Sequence, residues 1–331
     1  MTACRAGNPR AKQRSDLHAE RSMAATIPPF PHRHLISVNA LSAAEVKEIF
    51  ARAENHWRRN RKTGKRTDAL TGRSIVNLFF EPSTRTLLSF ELAGKRLGAD
   101  VATLPLAESS VKKGESFEDT LYTVDAMQPD AIIVRHREIG AARAASELVS
   151  ASVVNAGDGV AEHPTQALLD AFTLQQKWGS LEGRRILICG DIAHSRVAGS
   201  DIPLLTQLGA DVRVAGPDVF LPESTPAETF NDFDAALEGC DAVMMLRIQR
   251  ERMGENQAPH LEDYVRDWRL DAGRLNRAKP DALIMHPGPM NRDVEITSEV
   301  ADHPRSVIRA QVESGVAVRM AVLELLMEAR A

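Results

Sequence analysis

The sequence has few cysteines and no long hydrophobic run. Its three cysteines, Cys4, Cys189 and Cys240, are far apart and odd in number. They form neither a disulfide framework nor a zinc-binding pattern, so a reducing cytoplasm is the expected environment. No apolar stretch approaches the roughly 20 residues that a membrane-spanning helix needs, so no membrane association is expected.

Motifs for common cofactors are also missing. The ten histidines show no ligand spacing, and no HExxH or CxxC motif occurs, so no metal is expected. No glycine fingerprint follows the strand predicted at 184–191, and there is no Walker loop, so no nucleotide cofactor is indicated. A net charge of −4 gives no reason to expect nucleic-acid binding.

The composition is that of an ordinary globular protein, with 43% hydrophobic and 26% charged residues. A chain of 331 residues predicts two domains. Residues 1–33 differ from the rest, because the cations in this stretch face few acids and no hydrophobic segment follows. They weakly resemble an organelle transit peptide. The preferred interpretation is a disordered N-terminal extension, or a start codon assigned too early with Met23 as the true start.

Helix and strand patterns alternate from Leu41 onward. Ser42 and Glu45 have the spacing of a capping box at the start of the first helix. The predicted helices of the first half are 41–59, 84–97, 115–127, 140–150 and 165–178. The predicted strands are 75–80, 98–104, 130–136 and 151–158. Such alternation predicts a parallel sheet covered by helices on both faces.

A second alternating run begins near Leu181. Its predicted strands are 184–191, 241–247 and 281–289. The segment 200–217 is predicted to be a helix, a glycine that ends it and a strand, and a last apolar helix is predicted at 315–329. The string Leu-Gly-Ala-Asp-Val occurs at 97–101 and again at 208–212, each time with glycine placed to end a helix. The predicted fold is therefore α/β, with two doubly wound parallel-sheet domains joined by helices. The predicted domains are 34–164, 165–308 and a C-terminal helix, 309–331, that packs back on the first domain.

The segment FFEPSTRT, residues 79–86, predicts an anion site. A buried strand is followed by a polar turn and a helix N-terminus, whose free N–H groups and dipole attract anions. Ser83, Thr84 and Thr86 add hydroxyl donors, and Arg85 adds a planar fork that fits phosphate. The alternative is a plain helix cap beside a surface arginine.

Six polar clusters follow predicted strands at their carboxyl ends, where open α/β sheets bind ligands. They are Ser83–Thr86, Arg135-His136, His163–Gln166, Ser195-Arg196, Arg247–Gln249 and His286–Pro289. Together they predict a site for polyanionic substrates. Taken singly, Arg135 could pair with Glu138, His163 could be a helix cap, and Arg196 and Arg247 could be solvated.

The segments FFEPSTRTLLSFELAGKRLGAD and HPTQALLDAFTL resemble the signature of the aspartate/ornithine carbamoyltransferase family. HPGPMNRDVEI and LRIQRERM are similar to its aspartate branch, whereas the ornithine branch has a cysteine-containing His-Cys-Leu-Pro segment in place of HPGP. The resemblance runs from about Leu35 to the last helix. It implies transfer of a carbamoyl group from carbamoyl phosphate to L-aspartate, without a cofactor, as a step of pyrimidine biosynthesis.

The resemblance also implies residue roles. Catalytic roles fall on Arg85, Thr86, Arg135 and His163. The implied carbamoyl-phosphate ligands are Ser83, Thr84, Arg85, Thr86, Ser109, Arg135, His163, Gln166, Gly288 and Pro289. The implied aspartate ligands are Lys113, Arg196, Arg247 and Gln249. Ser109 and Lys113 match a loop that reaches the neighbouring subunit's site, so a homotrimer or larger assembly with shared sites is expected, and a regulatory or dihydroorotase-like partner chain stays open.

The sequence departs from the family pattern at Leu87, where other chains have arginine, and at Gly288, where some members have leucine. Three alternative functions are considered. The first is the same fold acting on ornithine, which Arg247 and Gln249 disfavour. The second is a non-catalytic homologue, which is disfavoured by the presence of Arg85, Lys113, His163 and Arg247. The third is a nucleotide-binding oxidoreductase, which would need a glycine fingerprint.

Overall fold

The computed structural model describes residues 30–104, 114–249 and 260–329. The first half alternates helices and strands in the predicted order. Its elements are α1 (Ala43–Asn60), β1 (Ser74–Phe79), α2 (Thr84–Arg96), β2 (Asp100–Leu104), α3 (Phe117–Asp125), β3 (Ala131–His136), α4 (Ala141–Leu148), β4 (Ser152–Asp158) and α5 (Pro164–Trp178). Strands of the first half form one parallel sheet in the order β2-β1-β3-β4.

The second half forms a separate five-stranded parallel sheet. Its elements are β5 (Arg185–Cys189), α6 (Arg196–Gln207), β6 (Asp211–Ala215), β7 (Glu228–Phe230), α7 (Phe233–Leu237), β8 (Ala242–Met245), α8 (Leu261–Trp268), α9 (Ala272–Leu275), β9 (Leu283–Met285), α10 (Ser298–Ala301) and α11 (Ile308–Glu328). The strand order is β7-β6-β5-β8-β9. The predicted α/β class with two doubly wound sheets is confirmed.

Local sequence signals explain several element ends. Ser42 accepts a hydrogen bond from the backbone N–H of Glu45, whose side chain accepts one from the N–H of Ser42, so the predicted capping box is present. Gly98 and Gly209 follow α2 and α6 with φ of +89° and +86°, a left-handed conformation that glycine adopts most easily. Both copies of the repeated string therefore end a helix as predicted.

Two largely buried helices join the halves. In α5, 11 of 15 residues are buried, so it is an interior helix and not an amphipathic surface one. The last helix, α11, packs against α1, α2 and α5. It begins at Ile308, one residue before the predicted C-terminal helix 309–331 and seven before the apolar stretch 315–329, because the residues of its first turns include polar ones.

Some elements of the second half differ from the sequence prediction. Strand β7 and helices α7 to α10 are three to eight residues long, too short to show a clear hydrophobic period. The segment predicted as a strand over 281–289 is a strand only over Leu283–Met285, and its remaining residues form a turn. None of the described helices is long and apolar enough to cross a membrane.

Candidate active site

A cavity of about 460 Å³ lies at the carboxyl ends of both sheets. In each sheet the strand order reverses beside the first strand, between β1 and β3 and between β5 and β8. Ligands of doubly wound folds bind outside such points. The predicted site residues in the described ranges all line this cavity: Ser83, Thr84, Arg85, Thr86, Arg135, His163, Gln166, Arg196, Arg247, Gln249, Gly288 and Pro289. The other two predicted residues, Ser109 and Lys113, lie outside the described residues.

The turn before α2 has the geometry of an anion site. Ser83 occupies the N-cap position in an extended conformation, yet its side chain makes no capping hydrogen bond. The interpretation that this turn only caps a helix is therefore wrong for Ser83. Its hydroxyl and the first N–H groups of α2 remain available to an anion in the cavity.

Arg85 lies between this turn and a second one at Gly288. A Cβ on Gly288 would lie 3.1 Å from both Cζ and Nε of Arg85, and its φ is +67°. Glycine thus allows close approach of the guanidinium to the turn. Partial burial, and secondarily the charge of Arg247, lower the pKa of Arg85. The site therefore holds cations close together, an arrangement that a bound anion would stabilise.

The turn at Gly288 is fixed by a buried histidine. The N–H of Gly288 donates to Nδ1 of His286 at 2.8 Å, and Nε2 of His286 lies 3.1 Å from Oε1 of the buried Glu295. The backbone N–H of His286 donates to Oε1 of Gln311 on α11 at 3.0 Å. These contacts hold the turn rigidly against the cavity, although glycine is its central residue.

Two buried arginines share one carboxylate on the opposite wall. Arg196 donates from Nη1 and Nη2 to the two oxygens of Glu81 at 2.8 and 3.1 Å, and Nη2 of Arg135 lies 3.5 Å from the same carboxylate. Arg135 also donates to the carbonyl of Ala156 at 3.1 Å. Neither arginine is solvated, so the alternatives of a surface pair or a solvated side chain are wrong for Arg135 and Arg196.

A glycine makes room for this pair. A Cβ on Gly157 would lie 2.7 Å from Nη1 of Arg135 and 3.1 Å from Cζ of Arg196. Gly157 stands near the end of β4 with a φ of +129°. A residue with a side chain would push both guanidinium groups out of place. Neither Gly157 nor Glu81 is among the predicted site residues.

His163 is a buried neutral imidazole beside Thr86. Its backbone N–H donates to Oγ of Ser200 at 2.8 Å, and its Nε2 lies 3.5 Å from Oγ1 of Thr86. Burial, followed by the charges of Arg319, Arg135 and Arg196, holds the pKa of His163 well below its usual value. His163 is therefore uncharged at neutral pH and can donate one hydrogen bond from its ring.

Arg247 and Gln249 follow β8 and form one unit. Nη2 of Arg247 donates to Oε1 of Gln249 at 3.1 Å. The backbone N–H of Gln249 donates to the buried Asp191 at 3.2 Å, and Asp191 also contacts Nδ1 of His194 at 2.8 Å. The backbone contact anchors the segment after β8, so that Arg247 is held at the cavity.

The structure adds a cavity arginine that the sequence analysis did not select. Arg319 of α11 is 3% exposed, donates to Oγ of Ser89 at 2.8 Å and lies 5.0 Å from the ring centroid of Phe90. Burial lowers its pKa to about 10. A lone arginine within the apolar stretch 315–323 was a usable signal, because a buried cation is costly unless it serves a site.

The cavity as a whole is cationic. Among the described residues that line it are five arginines, and Glu81 is their acidic counterpart. Helix N-termini and neutral hydrogen-bond donors add to the positive potential of the cavity. No cluster of three or more potential metal ligands occurs within the described ranges. The arrangement can hold two anionic ligands next to each other and stabilise negative charge that develops between them.

Comparison with protein families matches nearly the whole chain. Residues 33–176 match the model of the aspartate/ornithine carbamoyltransferase carbamoyl-P binding domain, and residues 182–326 match that of the Asp/Orn binding domain. An aspartate carbamoyltransferase catalytic subunit from Methylorubrum extorquens (strain PA1) is 55% identical over 306 residues, covering 92% of this chain and 97% of the relative. That of Maricaulis maris is 56% identical over 301 residues, covering 90% and 94%.

Solved structures show the same fold. Aspartate transcarbamoylase from Trypanosoma cruzi, in complex with carbamoyl aspartate and phosphate, superposes with a TM-score of 0.80 at 30% identity, covering 88% of this chain and 94% of that one. The same enzyme was solved with carbamoyl phosphate and aspartate. Ornithine carbamoyltransferase from Pyrococcus furiosus superposes with a TM-score of 0.81 at 28% identity, covering 90% and 98%.

Proposed function

The chain belongs to the aspartate/ornithine carbamoyltransferase family, and from this premise we propose how its cavity works. The reaction is transfer of the carbamoyl group of carbamoyl phosphate to the amino group of L-aspartate. The products are N-carbamoyl-L-aspartate and phosphate, as in pyrimidine biosynthesis. The observation that supports this activity most directly is that the turn at the start of α2 and five arginines line one cavity. We propose that the first sheet and its helices hold carbamoyl phosphate, and the second sheet and its helices hold aspartate.

The phosphate of the first substrate binds at the start of α2. N–H groups, the hydroxyls of Ser83, Thr84 and Thr86, and the fork of Arg85 surround it. Bound in this way, the phosphate is stabilised as a leaving group. The backbone turn at Gly288 and Pro289 contacts the carbamoyl end of the same substrate.

Thr86, Arg135 and His163 stabilise the carbonyl oxygen. This oxygen gains negative charge as the amine attacks, and donors placed in advance stabilise that charge by about 3 kcal/mol each. His163 acts as a neutral hydrogen-bond donor and not as an obligate base, which agrees with its lowered pKa. The α-amine attacks in its neutral form, and its proton passes to a phosphate oxygen. No cofactor takes part.

Aspartate binds through its two carboxylates. Arg196 and Arg247 each donate hydrogen bonds to one carboxylate, and Gln249, which accepts a hydrogen bond from Arg247, completes the second of these positions. Ornithine is the alternative acceptor, because the fold is shared with ornithine carbamoyltransferase. Its side chain is cationic, however, and the cavity already concentrates arginines, so charge favours the dicarboxylate.

The first test measures phosphate release from carbamoyl phosphate by the purified chain with aspartate, ornithine or no acceptor, and identifies the carbamoylated product. Release that requires aspartate, with carbamoyl-aspartate formed, supports the proposal. Release that requires ornithine would overturn the roles given to Arg196 and Arg247. No release with either acceptor would refute catalysis by this chain alone.

We propose a cytoplasmic homotrimer, or a larger assembly of trimers, in which Ser109 and Lys113 reach the site of a neighbouring subunit. The support is family membership, and for the cytoplasm also the buried, unpaired thiols of Cys189 and Cys240. Inactive Lys113→Ala chains are mixed with inactive Arg85→Ala chains after dissociation. If the sites are shared, the mixture regains part of the activity, because some interfaces place an intact Arg85 of one subunit beside an intact Lys113 of its neighbour. Mixtures as inactive as either parent would contradict shared sites.

A further inference from the structure

Two aspartates lie in contact behind the cavity wall. Asp170 is on α5 and Asp201 is on α6, and both are completely buried. Asp170 stands one helical turn after the cavity residue Gln166, so their side chains share a face of α5. Neither aspartate lines the cavity. The roles derived above use neither of them.

The pair shares a proton. Neither oxygen of Asp201 receives a hydrogen bond from an N–H or O–H donor among the described residues. An ionised carboxylate without donors would be very costly in this interior. Burial raises the pKa of Asp201 well above its usual value, and its neighbour Asp170 raises it further. Asp201 is therefore protonated and donates to Asp170.

Asp170 is the acceptor at the centre of the network. Burial raises its pKa to about 7, while donors from Gln311, Gln166 and Asp201 and the charge of Arg319 on α11 oppose that rise. The amide nitrogen of Gln166 donates to its two oxygens at 3.2 and 3.0 Å, and that of Gln311 donates at 2.6 Å. In both glutamines it is therefore the NH₂ group that faces Asp170, whose oxygens accept these hydrogen bonds.

This arrangement determines which end of the Gln166 amide faces the cavity. Its NH₂ group is engaged by Asp170, so its carbonyl oxygen is the polar atom directed to a ligand. Gln311 links the same carboxylate to the turn before Gly288, because its own carbonyl accepts the N–H of His286 at 3.0 Å. One buried carboxylate thus orients two side chains that line the cavity, Gln166 and Gln311.

We propose that Asp170 is a positioning residue that makes the site select a carbamoyl group over other acyl groups. It holds the carbonyl oxygen of Gln166 where that oxygen accepts a hydrogen bond from the NH₂ of carbamoyl phosphate. The proposal rests on the function given above. An acyl phosphate with a methyl group in place of the NH₂ leaves this acceptor unpaired, and such sites reject the analogue strongly.

Acetyl phosphate is the probe, because it keeps the carbonyl and the phosphate and lacks only the NH₂. The measured quantity is the ratio of kcat/KM for carbamoyl phosphate to kcat/KM for acetyl phosphate, with aspartate saturating. Gln166→Met should lower the ratio about tenfold or more by slowing the carbamoyl reaction alone. If Gln166 instead donated its NH₂ to the carbonyl, both reactions would slow equally, and the proposal would be overturned.

Asp170→Asn tests the positioning step. The substituted side chain offers an NH₂ group, so the amide of Gln166 turns and directs its own NH₂ into the cavity. The ratio should fall about tenfold, as in Gln166→Met. Asp241→Asn is the matched control, because Asp241 is a buried carboxylate with three donors at the opposite end of its sheet. Asp241→Asn should lower the free energy of unfolding without changing the ratio. If the ratio also falls in Asp241→Asn, the effect of Asp170→Asn is a general loss of stability.

A double-mutant cycle completes the test. If Asp170 acts through Gln166, adding Asp170→Asn to Gln166→Met should change the ratio less than about twofold, since the oriented amide is already absent. Additive losses would overturn the positioning role. Asp201→Asn retains a donor toward Asp170 and should keep the wild-type ratio, whereas a fall like that of Asp170→Asn would contradict the shared proton. Carbamoyl-aspartate formation by the wild-type chain tests the proposed function separately, and its absence would refute both.

Discussion

Gly157→Ala provides a sharp test of the arginine pair. The new Cβ would lie 2.7 Å from Nη1 of Arg135, about 0.8 Å inside an optimal contact of roughly 3.5 Å. The guanidinium of Arg135 must therefore shift by about 0.8 Å, and that of Arg196, whose Cζ would lie 3.1 Å away, by about 0.4 Å. A displacement of that size in a positioned site can cost about 100-fold in rate. We expect kcat/KM to fall about 100-fold for both substrates, because the proposed roles place Arg135 at the carbonyl and Arg196 at aspartate.

The control for this variant is Gly179→Ala. Gly179 also has a positive φ, +78°, but a Cβ there meets no atom within 4 Å. Both variants should lose about 1 kcal/mol of unfolding free energy through backbone strain. Steady-state kinetics and chemical denaturation of both chains separate the two effects. Equal kinetic losses in the two variants, or full activity in Gly157→Ala, would refute the reasoning from the arginine contacts.

Three further predictions concern single side chains. Arg196→Lys removes the planar fork and one charged hydrogen bond, which is worth about 1.5–3 kcal/mol. The kcat/KM for aspartate should therefore fall roughly 10- to 150-fold, while the affinity for carbamoyl phosphate, measured by calorimetry, is unchanged. Equal losses for both substrates would contradict this. Burial lowers the pKa of His163 in the folded chain, whereas in the unfolded chain this residue binds a proton below about pH 6.5. Acid therefore favours the unfolded chain, and the contribution of His163 to the free energy of unfolding is lost as the pH falls below that value. Denaturation of His163→Asn between pH 5 and 8 (about the range where histidine titrates) should show a shallower acid decline than the wild type, and an equal decline would count against a buried neutral ring. Arg319→Met removes a buried cation that lines the cavity, so the Kd for inorganic phosphate should rise severalfold; an unchanged Kd would remove Arg319 from the site.

The order of the elements and the position of the site could be predicted because both depend on local signals. The capping box at Ser42 and Glu45 and the glycines at 98 and 209 each determine an element end by themselves. Parallel strands then place their carboxyl ends at one edge, so polar residues after successive strands must converge. Every predicted site residue within the described ranges does line the cavity.

Contacts across the halves could not be predicted in the same way. Glu81 precedes the anion-binding turn, and nothing near it in sequence indicates that it pairs with Arg196, 115 positions away. The same holds for Gln311 and Asp170, which meet across α11 and α5. Short elements such as β7 and α9 were missed because three or four residues cannot display a period.

The charge distribution explains why one carboxylate belongs in a cavity that binds anions. Without a ligand, the arginines of the cavity repel one another, and burial makes that repulsion stronger than it would be in water. Glu81 compensates for part of it through Arg196 and Arg135. On the other side, burial lowers the pKa values of Arg85 and Arg319, and the charge of Arg247 lowers that of Arg85 further. The charge of Asp170 compensates for part of that of Arg319, whereas no acid among the described residues contributes to the pKa of Arg85. We therefore expect a dianionic phosphate to gain most by binding beside Arg85 first. Once it is bound, aspartate has only to displace or share Glu81, so the charge balance favours binding of carbamoyl phosphate before aspartate.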